Sequence, residues 1–402
     1  MTAPVSPRPG APSRRAFLDH NATSPLRPEA RAAMLDALTE PGNASSVHTD
    51  GRAARARLEQ ARTEVAGLAG AQKTGVVFTS GATEANALIL HPELDIAGRP
   101  VTCDVLLISA VEHPSILRGH RFPADRVEVL PVDAAGRIDL DALDEALTRH
   151  AGQGRRALLS LMLANNETGV IQPVAEAARR AQAHGAVVHC DAVQAAGRLP
   201  LDIYALGVDF LTFSSHKIGG PQGAGALVAR HADSRARIAL IGGGGQERGR
   251  RAGTENIAAV AGYGAAARAS GADLARESVR LKGLRDRLEQ EIVRQLQGTQ
   301  IVGADAERLP NTSCVIFAGV KAETLVIALD LAHVSVSAGS ACSSGKVGPS
   351  HVLAAMGYAG DAASGAIRLS LGWSSSEEDV DLALAALGRA VPQLQNRPVR
   401  AA

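Results

Sequence analysis

Residues 186–220 read AVVHCDAVQAAGRLPLDIYALGVDFLTFSSHKIGG. Two apolar runs, 186–190 and 208–213, are each followed at once by polar residues: Asp191 after the first, and Ser214, Ser215, His216 and Lys217 after the second. Strand, crossover, strand is the βαβ unit of a parallel sheet, and in open α/β sheets ligands sit beyond the carboxyl ends of the strands. Asp191 and Lys217 therefore belong to the edge where a ligand would bind. A carboxylate in that position can hold a protonated pyridine nitrogen, although it also suits a helix cap. A lysine bounded by Gly219 and Gly220 can form a Schiff base with an aldehyde, although it also suits a surface loop.

The same pattern extends outward. Short apolar runs at 76–79, 105–109, 127–131, 158–163 and 226–229 alternate with amphipathic helical stretches such as 28–38, 52–68 and 174–184, which predicts a large α/β domain with a mainly parallel sheet over residues 29–270. Residues 271–297 form one long charged helical pattern that leads into a smaller α/β domain over 271–402, with strands near 313–317, 334–337 and 366–371. Residues 16–28 are expected to pack with that small domain, and the Pro- and Ser-rich residues 1–15 to be a disordered tail.

Composition excludes several classes. Lys plus Arg number 42 against 41 acidic residues, a net charge of +1, so nothing electrostatic points to nucleic acid or an anionic membrane. No apolar run approaches the roughly 18–20 residues of a membrane span, and the N-terminus lacks the apolar middle of a signal peptide. The four cysteines, at 103, 190, 314 and 342, include no Cys-x-x-Cys pair, so no metal site is expected and a reducing cytoplasm fits.

Two further stretches carry chemistry. Thr79-Ser80-Gly81-Ala82-Thr83-Glu84 is a small-residue turn opening a helix, where free N–H groups and the helix dipole suit a phosphate; a cap by Ser80 or Thr83 is the plainer alternative. Residues 337–345, SAGSACSSG, surround Cys342 with small residues and leave its thiol unencumbered, whereas the other three cysteines sit in apolar runs. Phosphate turn, Asp191, then Lys217 26 residues later is the order that a pyridoxal-phosphate (PLP) lysine enzyme needs. A dinucleotide site is not supported, because Gly242 to Gly245 does not satisfy G-x-G-x-x-G and no G-x-x-x-x-G-K-[ST] loop exists.

The motifs FLDHNATSPL, VFTSGATEANALIL, SAVEHPSI, ANNETGVIQP, VHCDAVQAAGRLPLD, FSSHKIGGPQGAGAL, GGGGQERGRRAGTEN, GSACSSG and AIRLSLG, collinear from about residue 16 to 390, resemble those of cysteine desulfurases of the NifS/IscS-like group. These are class V aminotransferase relatives with the aspartate-aminotransferase fold. The resemblance implies a homodimeric, cytoplasmic, PLP-dependent enzyme that removes sulfur from L-cysteine. The products are L-alanine and a persulfide on Cys342, which passes its sulfur to an acceptor such as an iron–sulfur scaffold for iron–sulfur cluster or other thio-cofactor biosynthesis. Cys342 would meet a cluster only transiently. By the same resemblance Lys217 carries the Schiff base, and Asp191 pairs with the pyridine nitrogen. Gln194 and Asn166 approach the ring hydroxyl, and His113 stacks on the ring and moves protons. Ala82, Thr83, Ser214 and His216 bind the phosphate, with Thr254 reaching it from the partner subunit. Asn43 and Arg368 hold the substrate carboxylate.

The chain departs from the family at several points. Ser215 stands where Gly is usual, Ala252 where many members have Ser, and His20-Asn21 replaces the commoner Tyr-Ser. The chain also ends soon after Leu394, without the longer tail of the housekeeping members, which puts scaffold docking by that route in doubt. A selenocysteine lyase or aminotransferase of the same class is the nearest rival, and Cys342 separates them, because an aminotransferase needs no such thiol. A non-catalytic protein on the same fold is the more distant rival, against which Lys217, Asp191 and Cys342 all stand.

Overall fold

In the computed structural model, which describes residues 14–339, 350–358 and 363–395, seven strands form the main sheet. They are β1 Val76–Thr79, β2 Val105–Ser109, β3 Val127–Leu130, β4 Ala157–Ser160, β5 Val187–Asp191, β6 Phe210–Ser214 and β7 Gly225–Ala229. The spatial order is β1-β7-β6-β5-β4-β2-β3, with β7 antiparallel to both neighbours and the remaining pairs parallel. Alternate residues serve opposite faces, as the pleat requires. Leu107, Leu159, Val188 and Leu211 enter one apolar cluster, while Leu106, Leu158, Val187 and Phe210 enter another. A sheet covered on both faces explains why these strands read as unbroken apolar runs.

Helices α1 (Pro28–Thr39) and α2 (Thr49–Leu68) pack on a 39-residue helix, α4 (Ile257–Gln295), about 58 Å long. The sequence pattern placed this helix at 271–297, but it begins at Ile257. The missed part is rich in Ala and Gly, and its glycines weaken the helical signal because they serve close packing. A Cβ on Gly262 would stand 2.6 Å from Met34 Cγ, and one on Gly264 2.5 Å from Ala61 Cα. The carboxyl half of α4 supplies Leu281, Leu284, Leu288 and Ile292 to a second core.

That core lies under an antiparallel sheet of order β8-β9-β11-β10, comprising Thr299–Ile301, Thr312–Phe317, Ala366–Ser370 and Ser337–Ala338 respectively. The expected strand at 334–337 is in fact two short ones: Val334–Ser335 pairs in parallel with Ala16–Phe17, and β10 pairs with β11. Strand β8 was not anticipated, and neither was the hairpin of Glu93–Ile96 and Arg99–Thr102, joined by Arg235–Ala236. These pieces are only two to four residues long, too short for a periodic signal.

Glu247, inside the motif GGGGQERGRRAGTEN, enters a buried ion pair with Arg62. Arg62 donates from Nη1 and Nη2 to Glu247 at 2.7 and 2.8 Å, and Glu247 Oε2 also accepts from Phe78 N at 3.1 Å. Glu247 and Arg248 adopt left-handed φ of 47° and 59°, a conformation unfavourable for side-chain-bearing residues and sustained here by the pair. Removing one partner strands a buried charge. Glu247→Ala is expected to cost about 3–5 kcal/mol of unfolding free energy in a urea titration. Glu247→Gln, which keeps an acceptor for Phe78, should cost less, and equal losses would contradict the electrostatic account.

Candidate active site

A cavity of about 730 Å³ opens at the carboxyl ends of β1, β5 and β6. Its wall brings together Ala82, Thr83, His113, Asn166, Asp191, Gln194, Ser214, His216, Lys217 and Arg368, ten of the residues singled out from sequence. Helix α3 (Ala82–Ile89) begins at this wall. Gly81 is its N-cap and makes no side-chain bond, so neither Ser80 nor Thr83 caps it. Ser80 N instead donates to Glu84 Oε2 at 2.8 Å, and Glu84 pairs with Arg251. The turn rests on β7, where a Cβ on Gly225 would stand 2.5 Å from the Gly81 carbonyl carbon. A helix N-terminus without a side-chain cap, flanked by Thr83 and Ser214 hydroxyls, is suited to a phosphate.

Lys217 ends the tight turn Ser215–Lys217 that follows β6. Its Nζ donates to the main-chain oxygens of Asn21 and Ala22 at 2.5 and 2.8 Å. Ser215, at the position where Gly is usual, is fully buried, and its Oγ would meet a Cβ on Gly220 at 2.2 Å. Gly220 therefore makes room for the serine. His216 Nδ1 pairs with Thr23 Oγ1 at 3.1 Å, and burial brings its pKa down to about 4.

Asp191 is fixed on both oxygens: Oδ1 accepts from Val193 N and Oδ2 from Asn86 Nδ2, each at 3.0 Å. Asn86 also donates to Ser115 Oγ at 3.0 Å, and that hydroxyl lies 2.8 Å from His113 Nδ1. Burial holds the His113 pKa below its ordinary value, opposed by Asp191 and assisted by Lys217. The ring is thus neutral at pH 7. Beneath it Glu112 is wholly buried, and burial keeps its carboxyl protonated well above the usual range, although Oε1 accepts from Met162 N at 2.7 Å.

Arg368, 2% exposed on β11, donates from Nη1 to Asn166 O at 3.1 Å and from Nη2 to Asp19 Oδ1 at 2.8 Å, while its Nε has no partner. The anion that a buried guanidinium requires is thus supplied within the chain by Asp19. Its buried Nε–H is left without an acceptor. Glu167, next to Asn166, is buried, which raises its carboxyl pKa to about 7, while a bond from Ser350 and the charge of Arg368 pull it down.

Two expected residues stand elsewhere. Asn43 is exposed, and its Oδ1 accepts from Ser45 N at 2.8 Å in a local turn, outside the cavity of its own chain. Thr254 lines a separate pocket of about 230 Å³ that shares Ser80 and Gly223 with the main one. Cys342 lies outside the described residues. Asp19, Asn21, Asn86 and Glu167 went unassigned in the sequence, although all four sit inside its quoted motifs. Each of their polar side chains has a partner more than 100 positions away.

Residues 16–383 match the aminotransferase class-V family model, and the chain belongs to that family. It is 44% identical over 388 residues to the cysteine desulfurase of Cereibacter sphaeroides, covering 95% of this chain and 97% of that one. It is 38% identical to the cysteine desulfurase IscS of Dictyoglomus turgidum, covering 95% and 96%. A solved NifS-like protein from Rickettsia africae superposes with a TM-score of 0.83 at 33% identity, over 93% of this chain and 98% of that one. The fold is accordingly the aspartate-aminotransferase-like α/β arrangement. No helix among the described residues is long and apolar enough to cross a membrane.

The buried histidines are expected to make the protein acid-sensitive. His20 and His189 are both lowered to about 3, His189 by burial and His20 by burial reinforced by Arg198, Arg27 and Arg280. The folded state refuses a proton that the unfolded state accepts below about pH 6.5, so their contribution is complete above that pH and lost as pH falls. Each should steepen the decline in unfolding free energy between pH 6 and 5 by about 1.4 kcal/mol. Denaturant titrations of His20→Gln should show a slope shallower by roughly one proton, and an unchanged slope would contradict the assignment.

Proposed function

We propose that the chain is a cysteine desulfurase that uses pyridoxal phosphate bound in this cavity. One observation carries the reading: a lysine amine, a carboxylate fixed on both oxygens, a helix N-terminus and a guanidinium, from distant parts of the chain, converge on one cavity. The donor set fits the cofactor. The α3 N-terminus with Thr83, Ser214 and His216 suits its phosphate, Asp191 its ring nitrogen, Asn166 and Gln194 its hydroxyl, and Lys217 its aldehyde. The orphaned Arg368 Nε is a donor for the substrate carboxylate.

When bound, pyridoxal phosphate supplies an electron sink conjugated to the substrate Cα. Asp191 holds the proton on the ring nitrogen. Lys217 Nζ takes the Cα proton. Ser115 engages His113 Nδ1, so proton movement to and from the substrate falls to Nε2 of this neutral ring. Arg368 grips the cysteine carboxylate and holds Sγ towards the thiol. The Cys342 thiolate attacks Sγ; an S–S bond forms, the substrate C–S bond breaks with its electron pair on Cβ, Cβ takes a proton, Cα regains one from Lys217 Nζ, and the amine is freed as alanine.

The persulfide role falls to Cys342 because the other thiols are unsuited to it. Cys103, Cys190 and Cys314 are buried, and burial raises Cys103 and Cys314 to about 12 and Cys190 well above its ordinary value. We read the enzyme as a cytoplasmic homodimer, with Thr254 and Asn43 contributed across the interface. Exposed Leu35, Leu38 and Val47, and Ile238 and Ile241, support a covered surface in these two regions. The sulfur acceptor is a protein such as an iron–sulfur scaffold.

Cys342→Ser tests the reading. The variant is expected to fold, to keep the cofactor absorbance and to form no persulfide by mass spectrometry, with alanine release down by orders of magnitude, because a serine hydroxyl stays protonated at neutral pH. Cys103→Ser, Cys190→Ser and Cys314→Ser should keep most of their activity. Lys217→Ala, in contrast, should lose both the absorbance and the alanine. Parent-like turnover in Cys342→Ser would end the desulfurase proposal.

A further inference from the structure

Asn86 takes no part in the chemistry above and does not line the cavity, yet its fully buried amide serves two residues of the cavity wall. Its Nδ2 donates to Asp191 Oδ2 and to Ser115 Oγ, each at 3.0 Å. Ser115 in turn holds the His113 ring at one nitrogen. Its Oγ lies 2.8 Å from Nδ1, and its main-chain N donates to the same Nδ1 at 3.1 Å. Asp191 ends β5, whereas His113 and Ser115 follow β2, and β4 lies between those strands. The Asn86 amide spans that gap.

The amide is unfavourable to hold this way. Asp191 Oδ2 and Ser115 Oγ both accept from the nitrogen, so the amide oxygen faces elsewhere, buried and without a partner. An unpaired buried acceptor destabilises a fold, and a leucine of similar size would avoid it. An arrangement that gives up an acceptor to supply two donors has its benefit at those two groups. The helix adds a third point of reference. Asn86 stands four residues after Ala82 on α3, so the two share a face, and Ala82 belongs to the N-terminus that suits the phosphate.

We propose that Asn86 is a positioning residue that fixes the Asp191 carboxylate and the His113 ring relative to each other and to the phosphate turn. One helix then sets the spacing of all three. The proposal rests on the reading that pyridoxal phosphate occupies this cavity. Asn86 touches neither cofactor nor substrate in this role; it acts through Asp191 on the ring nitrogen and through Ser115 on His113. The competing role is packing alone, in which the amide matters only to stability.

Two variants separate these roles. Asn86→Leu removes both bonds at nearly constant volume, and Ser115→Ala removes only the hydroxyl on His113. In Asn86→Leu the dissociation constant for pyridoxal phosphate, from fluorescence titration of the full chain stripped of cofactor, should rise about 3- to 10-fold. Its kcat for alanine formation should fall about 10- to 100-fold, with KM for cysteine within about twofold, because Arg368 is untouched. Ser115→Ala should lose about 10-fold in kcat and keep the parent's dissociation constant. In the nitrogen NMR spectrum of histidine-labelled holoenzyme, the His113 resonance, identified by its loss in His113→Gln, should shift in both variants. Packing alone predicts easier unfolding in urea with parent-like cofactor affinity, kcat and His113 resonance, and that result would overturn the proposal. So would a loss of activity carried entirely by KM. If Asn86→Leu fails to fold, Asn86→Ala deletes the same two bonds without a branched side chain and is judged by the same criteria. A parent chain that does not bind pyridoxal phosphate would sink the underlying reading, whereas unaltered variants of a parent that binds it would sink only the role of Asn86.

Discussion

Buried Asn21 uses every polar group it possesses, and the site is assembled around it. Its N–H donates to Ser370 Oγ at 2.9 Å, and its amide nitrogen to Asn166 O and Thr312 Oγ1 at 3.1 and 2.9 Å. Its amide oxygen accepts from Asn311 Nδ2 at 3.1 Å. Its main-chain oxygen accepts from both Lys217 Nζ and Gln194 Nε2. Thr312, Asn311 and Ser370 belong to the small-sheet side, and Asn166, Gln194 and Lys217 to the main-sheet side. A single residue thus ties the two cores across the cavity. Its loss would leave several buried groups unpaired, at about 1–3 kcal/mol each.

The segment around Asn21 is locked to match. Ser24 N donates to His216 O at 2.8 Å, Arg27 Nε donates to Ile218 O at 3.0 Å, and Trp373 Nε1 donates to Pro25 O at 3.0 Å. His20 is fully buried, and a Cβ on Gly372 would stand 1.9 Å from its ring, so Gly372 gives the imidazole its space. The lysine turn is therefore shaped from outside its own sequence. Its amine rests on carbonyls almost 200 positions earlier in the chain.

Burial also sets the protonation pattern of the site. His113 is held neutral and Glu112 protonated by desolvation, and Glu167 stands near neutrality. Asp191, in contrast, is held by hydrogen bonds on both oxygens, from Val193 N and Asn86 Nδ2. Charge is concentrated on a few groups that face the cavity, and the carboxyls behind them serve as hydrogen-bonding struts.

A mainly parallel sheet, the edge that carries the site and ten of the residues on the cavity wall are legible in the sequence. These signals are local: an apolar run sets the strand, and the polar residue directly after it must emerge at the strand's carboxyl end, as Asp191 and Lys217 do. Roles that depend on partners far apart in the chain emerge with folding. Asn21 looked like a variant of a terminal motif, and Asn86, Arg62 and Glu247 carried no distinguishing signal. The glycines of α4 concealed its first 14 residues because their purpose is contact with α1 and α2. Arg368 promised an anion, and the fold supplied Asp19. Hydrogen bonding and close packing between remote segments leave no periodicity in a sequence, so these roles become visible only when the chain is folded.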